Sequence, residues 1–235
     1  MTSRYVLIRH GDGPADDRVA TFLAQTGATV DTRYPFDGDE LGCVDETVAG
    51  TVVYGGPHVV TETDKHPFLN EEARWIEDCM KHDLPVLGLC QGAQHIAQVL
   101  GADGGPLPGE PHEFGYYPVY ATPQGQNYLP EVLHVTQCHF HGFDVPHGAE
   151  LLASGDPFPN QAFRYGERTF AFQFHPEVTV DGFRRWQSAH WAYYGKPGAQ
   201  TKEQQTELAE LHDAAQHDWF MAFLGELFDN PQECK

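Results

Sequence analysis

Short β-forming segments alternate with segments of helical periodicity over the first hundred residues. The strand-like segments are residues 5–8, 30–34, 51–54 and 85–89, and apolar residues recur at helical spacing between them and after the last. Such alternation is typical of strand–helix–strand units, whose strands lie parallel in one sheet with helices on its faces. The pattern therefore predicts an α/β fold with a largely parallel central sheet.

Two helices can be described further. Asn70 is a candidate cap for a helix whose inner face would carry Ala73, Ile76, Cys79 and Met80. Thr201 and Gln204 have the spacing of a capping box. They predict a long final helix, packed through Leu208, Leu211, Ala215, Phe223 and Leu227.

The segment between the helical regions has a different pattern. Residues 104–154 contain short β-like pieces separated by Pro and Gly, which predicts a small antiparallel excursion. Residues 169–174 form one more strand-like run, and residues 193–200 read as a linker. We therefore expect a main domain over residues 1–195 and a C-terminal helical extension, residues 196–235, packed on that domain.

Composition limits the partners and the compartment. The 235 residues are 40% hydrophobic, enough for a sizeable core, and the net charge of −20 repels nucleic acids and anionic membrane surfaces. Five cysteines without a Cys-x-x-Cys pair favour a reducing compartment. No apolar run approaches the roughly 20 residues that span a bilayer, so we expect a cytoplasmic protein.

The sequence LPVLGLCQGAQ, residues 84–94, places Cys90 between a buried-type strand and a helix. Ligands gather at the carboxyl ends of parallel strands, and the start of a helix favours a negatively charged thiolate. Gly88 and Gly92 supply the room that a strained nucleophile turn requires. Because unpaired cysteines are also often simply buried, this segment alone leaves both readings open.

A possible base follows a later strand. In QFHPEV, His175 and Glu177 are two residues apart, so their side chains can point to the same side of an extended chain. The carboxylate could then hydrogen-bond one imidazole nitrogen while the other faces a thiol. The pair could equally be two solvated side chains, but its occurrence together with the Cys90 turn favours catalysis.

The motifs together resemble those of class I glutamine amidotransferases. GLCQGAQ at residues 88–94 is similar to the family's nucleophile elbow, and HPE at residues 175–177 to the part that completes its Cys-His-Glu triad. YGGP at residues 54–57 and EFGYYPV at residues 113–119 extend the likeness over most of residues 5–190. The chain is most similar to the free-standing, GMP-synthetase-like branch, which implies a three-layer, flavodoxin-like fold.

The resemblance also implies roles for individual residues. Cys90, His175 and Glu177 would be catalytic, and the backbone N–H groups of Gly56 and Gln91 would form the oxyanion hole. The residues implied to bind substrate are Gly55, which lets its loop approach closely, Gln94 at the end of the elbow motif, and the loop of His139, Phe140 and His141. His139 matches the family's histidine, whereas Phe140 and His141 replace its usual Gly-Asp.

That replacement removes a carboxylate that could hold a substrate ammonium group, so free glutamine need not be the preferred substrate. His139, His141 and His175 could alternatively suggest a metal site, but His175 has a better role as base, and we expect neither a metal nor a cofactor. His58, His95 and His147 are expected on the surface or in loops.

Three functions follow from the sequence. The first is hydrolysis of a γ-glutamyl amide through a Cys90 thioester, releasing ammonia for a separate synthetase subunit, because no phosphate-binding G-x-x-x-x-G-K-[ST] loop or synthetase domain is present in these 235 residues. The second is a stand-alone γ-glutamyl amide or peptide hydrolase. The third is a catalytically silent binding module, against which the intact Cys90, His175 and Glu177 argue.

Overall fold

The structure, a computed structural model, describes residues 3–228. One nine-stranded mixed sheet has the order β2-β1-β3-β4-β11-β10-β9-β6-β7, and β5 pairs with β8 in a separate small sheet. The strands are β1 (Arg4–Ile8), β2 (Thr29–Arg33), β3 (Val48–Val53), β4 (Val86–Leu89), β5 (Gly104–Pro106), β6 (Glu113–Ala121), β7 (Val132–His139), β8 (His141–Phe143), β9 (Glu150–Ser154), β10 (Ala162–Tyr165) and β11 (Thr169–Phe172). The helices are α1 (Arg18–Thr26), α2 (Phe68–Lys81), α3 (Gln91–Val99), α4 (Val180–Gln187) and α5 (Lys202–Phe228).

The sheet is parallel from β2 to β11, and helices cover both of its faces. One apolar cluster joins the sheet to α1 and α5, and a second joins it to α2 and α3. All four residues of β4 are buried, as expected for a central strand covered on both sides. The predicted three-layer α/β fold is confirmed.

The antiparallel part continues the same sheet. Strands β10, β9, β6 and β7 pair antiparallel to their neighbours, and β6 and β7 are in register over eight residue pairs, from Glu113 with His139 to Tyr120 with Val132. The antiparallel excursion predicted for residues 104–154 is therefore found as β6, β7 and β9, together with the small β5–β8 sheet.

Helix α2 differs from its prediction in start and in buried face. It begins at Phe68 after Pro67, with no side-chain cap, so the prediction that Asn70 caps it is wrong. Its fully buried residues include Glu72 and Trp75, whereas Ala73 and Met80 are only partly buried. A carboxylate at position 72 is polar by composition, so hydrophobic periodicity could not place it in the interior.

Helix α5 has the predicted capping box, in which the Thr201 N–H donates to Gln204 Oε1 at 2.9 Å and the Gln204 N–H donates to Thr201 Oγ1 at 3.3 Å. Leu211, however, is 71% exposed and Ala215 is also exposed, so their predicted place on the inner face is wrong. The buried face includes the predicted Phe223 and Leu227, and beside them Gln205, Ala209, Gln216, Phe220, Leu224 and Phe228. Residues 229–235 of the predicted extension, including Cys234, lie outside the described residues.

Among residues 3–228, no helix combines the length and the apolar character needed to cross a bilayer.

Candidate active site

Cys90 lies in a strained turn between β4 and α3. Its backbone has φ 51° and ψ −105°, a conformation that costs free energy for any residue with a Cβ, and its N–H donates to Phe172 O at 2.8 Å. The two nearby glycines are sterically required: a Cβ on Gly88 would lie 2.6 Å from Gly92 O, and one on Gly92 would lie 2.0 Å from Val53 O. The sequence thus folds into a tight elbow that holds the thiol at the carboxyl end of the sheet.

His175 and Glu177 follow β11, the neighbour of β4, and lie beside Cys90. His175 Nδ1 is 2.8 Å from Glu177 Oε1, and both side chains are buried. Burial lowers the pKa of His175, but the charges of Glu177 and Cys90, with a hydrogen bond to each, outweigh it and raise that pKa to about 10. The imidazole therefore holds its proton at neutral pH.

The backbone of this His-Pro-Glu segment is fixed from two sides. The His175 N–H donates to Thr136 O in β7 at 2.8 Å. Arg18, at the start of α1, donates from its side chain to Pro176 O and from its backbone N–H to Glu177 O, both at 2.8 Å. These bonds position the imidazole and the carboxylate without using their functional atoms.

The glycine loop after β3 packs against both reactive side chains. A Cβ on Gly55 would lie 2.7 Å from His175 Cε1 and 3.3 Å from Cys90 Cβ. Gln91 Oε1 accepts a hydrogen bond from the His58 N–H at 2.8 Å, which ties the loop to the start of α3. Gly55 thus lies against Cys90, and Gly56 lies beside the Gln91 side chain, 2.7 Å from Gln91 Oε1 for a Cβ built on it; their role as an oxyanion hole stays a prediction.

A buried polar cluster beneath this loop was missed by sequence reasoning. His10 Nε2 lies 2.9 Å from Glu72 Oε1, His10 Nδ1 lies 3.1 Å from Tyr54 O, and a Cβ on Gly56 would lie only 2.4 Å from the Cβ of His10. His95 Nδ1 is 3.4 Å from Glu72 Oε2, and His95 is 1% exposed, so its expected surface or loop position is wrong. The sequence gives no indication that histidines so far apart in the chain contact the same carboxylate.

These two histidines favour the ionised form of Glu72. Burial raises the pKa of Glu72, but hydrogen bonds and charge interactions with His10 and His95 lower it to about 2. Of the other histidines expected at the surface, His147 is exposed and His58 is partly buried against the rings of His66 and Phe68.

The predicted substrate-binding residues form a chain of polar contacts leading to Cys90. Gln94 Nε2 donates to His141 O at 3.1 Å and to Gln173 Oε1 at 3.2 Å, and Gln173 Nε2 lies 3.6 Å from Cys90 Sγ. Gln173, directly before the Phe-His-Pro-Glu sequence, was not among the predicted site residues.

The loop of residues 139–141 is held by its own neighbours. His139 Nδ1 is 2.9 Å from His141 O, and His139 Nε2 is 2.8 Å from the buried Glu113 Oε2. The Phe140 ring stacks on His112 with centroids 5.1 Å apart. Burial, with the nearby His139 and His112, lowers the pKa of His141, so this side chain is neutral at pH 7.

His139, His141 and His175 are not brought together as a metal site. Within residues 3–228, no cluster of three or more metal-ligating side chains has the geometry to hold an ion.

A cavity of about 750 Å³ opens from Cys90 and His175. Its wall includes Trp186 at the end of α4, and Trp191 and Tyr193 in the segment between α4 and α5. These residues were also missed: residues 193–200 were read as a linker, although the aromatic run WAYY at residues 191–194 was an available signal.

Two arginines line the same cavity, and each is paired with an aspartate. Arg9 forms a very short ion pair with Asp17, and its guanidinium lies 4.2 Å from the centre of the Tyr54 ring. Arg185 Nη2 is 2.6 Å from Asp16 Oδ1. The charges at this end of the cavity are therefore largely compensated within the protein.

Comparison with known proteins identifies the family. The model of the class I glutamine amidotransferase family matches residues 18–185, which is more than half of the chain. A glutamine amidotransferase-like protein of Salmonella typhimurium, YfeJ, is 30% identical over 165 residues, covering 66% of this chain and 67% of that protein. The chain belongs to the class I glutamine amidotransferase family, so the resemblance seen in the sequence is confirmed.

Further relatives include larger enzymes that this chain matches over only part of their length. A glutamine-hydrolysing GMP synthase of Janthinobacterium sp. (strain Marseille) is 32% identical over 162 residues, which are 62% of this chain but only 28% of that enzyme. The crystal structure of a glutamine amidotransferase from Thermotoga maritima has a TM-score of 0.85 at 26% identity and covers 98% of this chain and 100% of its own. The chain is thus a GMP-synthase-like amidotransferase domain.

Proposed function

We propose that the protein hydrolyses the γ-carboxamide of glutamine through a thioester on Cys90 and releases ammonia for a separate acceptor enzyme. The observation that carries this proposal is the strained Cys90 elbow beside the buried His175–Glu177 pair. Membership in the amidotransferase family supports it independently. The GMP synthases extend well beyond the part that this chain matches, so a synthetase activity of that kind would lie outside these 235 residues.

The first half of the reaction forms the acyl-enzyme. The Cys90 thiolate attacks the γ-carbonyl carbon, and the oxyanion that develops accepts hydrogen bonds from the backbone N–H groups of Gly56 and Gln91. Preorganised donors of this kind each contribute about 3 kcal/mol in related chemistry. His175, oriented by Glu177, gives its proton to the departing nitrogen as the C–N bond breaks.

The second half releases glutamate. The imidazole, now neutral, takes a proton from water, and the resulting hydroxide attacks the thioester carbon. The C–S bond breaks, glutamate leaves, and the thiolate–imidazolium pair is restored. No redox step or external cofactor is required.

The glutamate end of the substrate is assigned to Gln94 and the loop of residues 139–141. Because the Phe140 ring stacks on His112 and the His139 nitrogens already face Glu113 and the loop carbonyl, recognition falls mainly to Gln94 and to the loop backbone. Gly55 permits the close approach of the opposite loop.

One observation favours a second function, hydrolysis of N-substituted γ-glutamyl amides without an acceptor enzyme. The cavity beside His175, at about 750 Å³, is far larger than departing ammonia requires. The same acyl-enzyme chemistry would then release an amine in place of ammonia.

The direct test follows ammonia and glutamate after purified protein is mixed with glutamine. We expect the two products in equal amounts, and a loss of turnover by about 10³-fold or more in Cys90→Ala, as for other removed nucleophiles. Cys43→Ala, which changes an exposed cysteine, is the matched control and should retain activity. Turnover that survives Cys90→Ala would rule out the thioester mechanism.

A further inference from the structure

We propose that Trp186, Trp191 and Tyr193 form a binding site for the departing amine, and that the preferred substrate is a γ-glutamyl amide whose amine part carries an uncharged aromatic group. The inference rests on the second function proposed above, hydrolysis of N-substituted γ-glutamyl amides through Cys90, and names its substrate class. We call these three residues the aromatic wall.

The aromatic wall begins at the catalytic histidine. The Trp186 ring meets the His175 ring edge-on with centroids 4.9 Å apart, and Trp191 lies 6.3 Å from Trp186 and 6.2 Å from Tyr193. Burial raises the pKa of Tyr193 to about 12, with further contributions from the nearby Cys138 and Cys90. The three residues of the wall line the same cavity as His175 and Cys90.

The wall lies on the side from which the amine departs. In the proposed reaction His175 protonates the leaving nitrogen, so a substituent on that nitrogen projects toward the His175 side of the scissile bond. Trp186 is in contact with that imidazole. Gln94 and His141, to which the glutamate end is assigned, do not line this cavity but a separate recess.

Size and exposure favour an aromatic occupant. Trp191 leaves 40% of its surface exposed at the cavity although it is among the most apolar side chains. A flat ring inserted between such side chains gains both apolar burial and edge-to-face or offset-stacked contacts. Ammonia or a short alkylamine would leave this surface in water.

The charges of the cavity favour an uncharged substituent. Of the described residues that line it, the arginines are Arg9 and Arg185, and each is paired with an aspartate, Asp17 or Asp16. A substituent carboxylate would have to compete with Asp17 for the nearly buried Arg9 guanidinium, and a cationic substituent would have to compete with Arg9 for Asp17. An aromatic amine without a further charge avoids both costs.

The reaction is the same as that proposed for glutamine, with an amine as the leaving group. The Cys90 sulfur forms a bond to the γ-carbon, the C–N bond breaks, and the amine leaves with the proton of His175. Water then hydrolyses the thioester to glutamate.

The test compares γ-glutamylphenethylamide with γ-glutamylethylamide by the rate of glutamate release from the purified full-length chain. We expect kcat/KM to be at least about tenfold higher for the phenethylamide, the effect of one well-buried aromatic group. γ-Glutamylphenylalanine, which adds a carboxylate to the same ring, should be turned over less efficiently than the phenethylamide.

Trp191→Ala should lower the phenethylamide-to-ethylamide ratio of kcat/KM by about tenfold, and Trp191→Phe should restore most of it. Tyr165→Ala is the matched control, because Tyr165 is a partly exposed aromatic residue of β10 outside the cavity lining. That variant should keep the wild-type ratio.

The outcomes separate the two proposals. Cys90-dependent hydrolysis with equal efficiency on both amides, or a ratio unchanged in Trp191→Ala, would overturn the aromatic wall as an amine site and leave the hydrolase function standing. A preference for γ-glutamylphenylalanine over the phenethylamide would overturn the requirement for an uncharged amine. Absence of Cys90-dependent glutamate release from every substrate, glutamine included, would overturn both proposals.

Discussion

His175 is a buried imidazole that keeps its proton because it faces Glu177 and Cys90. The pKa of about 10 results from Glu177 and Cys90 acting against burial. A protonated imidazole at neutral pH suits the first half of the proposed reaction, in which His175 acts as an acid toward the departing nitrogen.

Glu177→Gln should therefore lower the pKa of His175 toward its ordinary value near ~6.5. For a group with a raised pKa, the protonated form is present below that pKa and is lost as the pH rises through it. We expect the alkaline decline of kcat/KM, near pH 10 in the wild type, to move to lower pH, with a loss of about 10²-fold at neutral pH. A pH–rate profile measures both effects.

Glu167→Gln is the control for this change, because the Glu167 side chain is 83% exposed on the surface. It should leave the profile as in the wild type. An alkaline limb that stays in place in Glu177→Gln would contradict the role of Glu177 as the partner of His175.

Glu72 affects stability at acidic pH, whereas His175 affects activity at alkaline pH. Its pKa is lowered to about 2, so its stabilisation is present above its unfolded value near 4.5 and is lost as the pH falls from there toward 2. Glu72→Gln should lower the free energy of unfolding by about 3 kcal/mol at pH 7, because it leaves His10 and His95 without their buried partner. The difference from wild type should shrink below pH 4.5 in urea titrations.

The control lies on the same helix. Glu77→Gln changes a glutamate whose side chain is 54% exposed and pairs only with Lys81 at the surface, so it should cost no more than about 0.5 kcal/mol. Equal losses from the two variants would contradict a buried ion cluster beneath the glycine loop.

At the scale of elements, α5 supports the catalytic segment from behind. Asp213 accepts two hydrogen bonds from Arg18, each 2.7 Å long, and Arg18 in turn holds Pro176 O. Gln216 Oε1 accepts from the Thr136 N–H at 2.6 Å, and Thr136 O holds the backbone of His175. Polar residues of α5 are thus linked by hydrogen bonds to the His-Pro-Glu segment through two other residues, Arg18 and Thr136.

Asp213→Asn should lower the free energy of unfolding by about 3 kcal/mol, because it leaves the nearly buried Arg18 guanidinium without its carboxylate. It should also lower kcat/KM, since Arg18 would hold Pro176 less firmly. Chemical denaturation and steady-state kinetics on glutamine measure the two effects. Asp218→Asn, at a side chain 84% exposed, is the control, and an Asp213→Asn variant as stable and active as this control would contradict the support by α5.

The buried face of the same helix was only partly predictable from the sequence. The apolar positions of α5 predicted that Leu211 and Ala215 face the core, whereas the buried face includes Gln205 and Gln216. Gln216 is buried because it satisfies the backbone of β7, which lies at the edge of the sheet. A polar residue whose partner is a distant backbone group leaves no periodic signal in the sequence.

Over the whole molecule, the alternation of strands and helices predicted the α/β class, and the resemblance to the amidotransferase motifs implied a triad of Cys90, His175 and Glu177. In the structure β4 and β11 are parallel neighbours, so their carboxyl ends bring residues 85 positions apart together. The aromatic wall was not predicted, because Trp191 and Tyr193 belong to an irregular connection whose path depends on the packing of α4 and α5.

The net charge of −20 should also affect the thermal stability of the whole molecule. Added salt screens self-repulsion among surface carboxylates, so about 0.15 M NaCl should raise Tm at pH 7 by about 2–4 °C relative to low salt. Near pH 4.9, where the net charge approaches zero, this rise should disappear. A Tm that falls with salt at pH 7 would show that attractive surface pairs outweigh the repulsion.

The central claim is that Cys90 carries the acyl group, and rapid acid quenching of the reaction followed by peptide mass mapping tests it most directly. With glutamine as substrate, we predict a γ-glutamyl thioester on the peptide that contains Cys90 and none on the peptide that contains Cys138, whose thiol pKa is raised well above its usual value by burial and by Cys90. Addition of hydroxylamine should convert the adduct to γ-glutamyl hydroxamate. Turnover of glutamine with no adduct on Cys90, or with the adduct on Cys138, would contradict the claim.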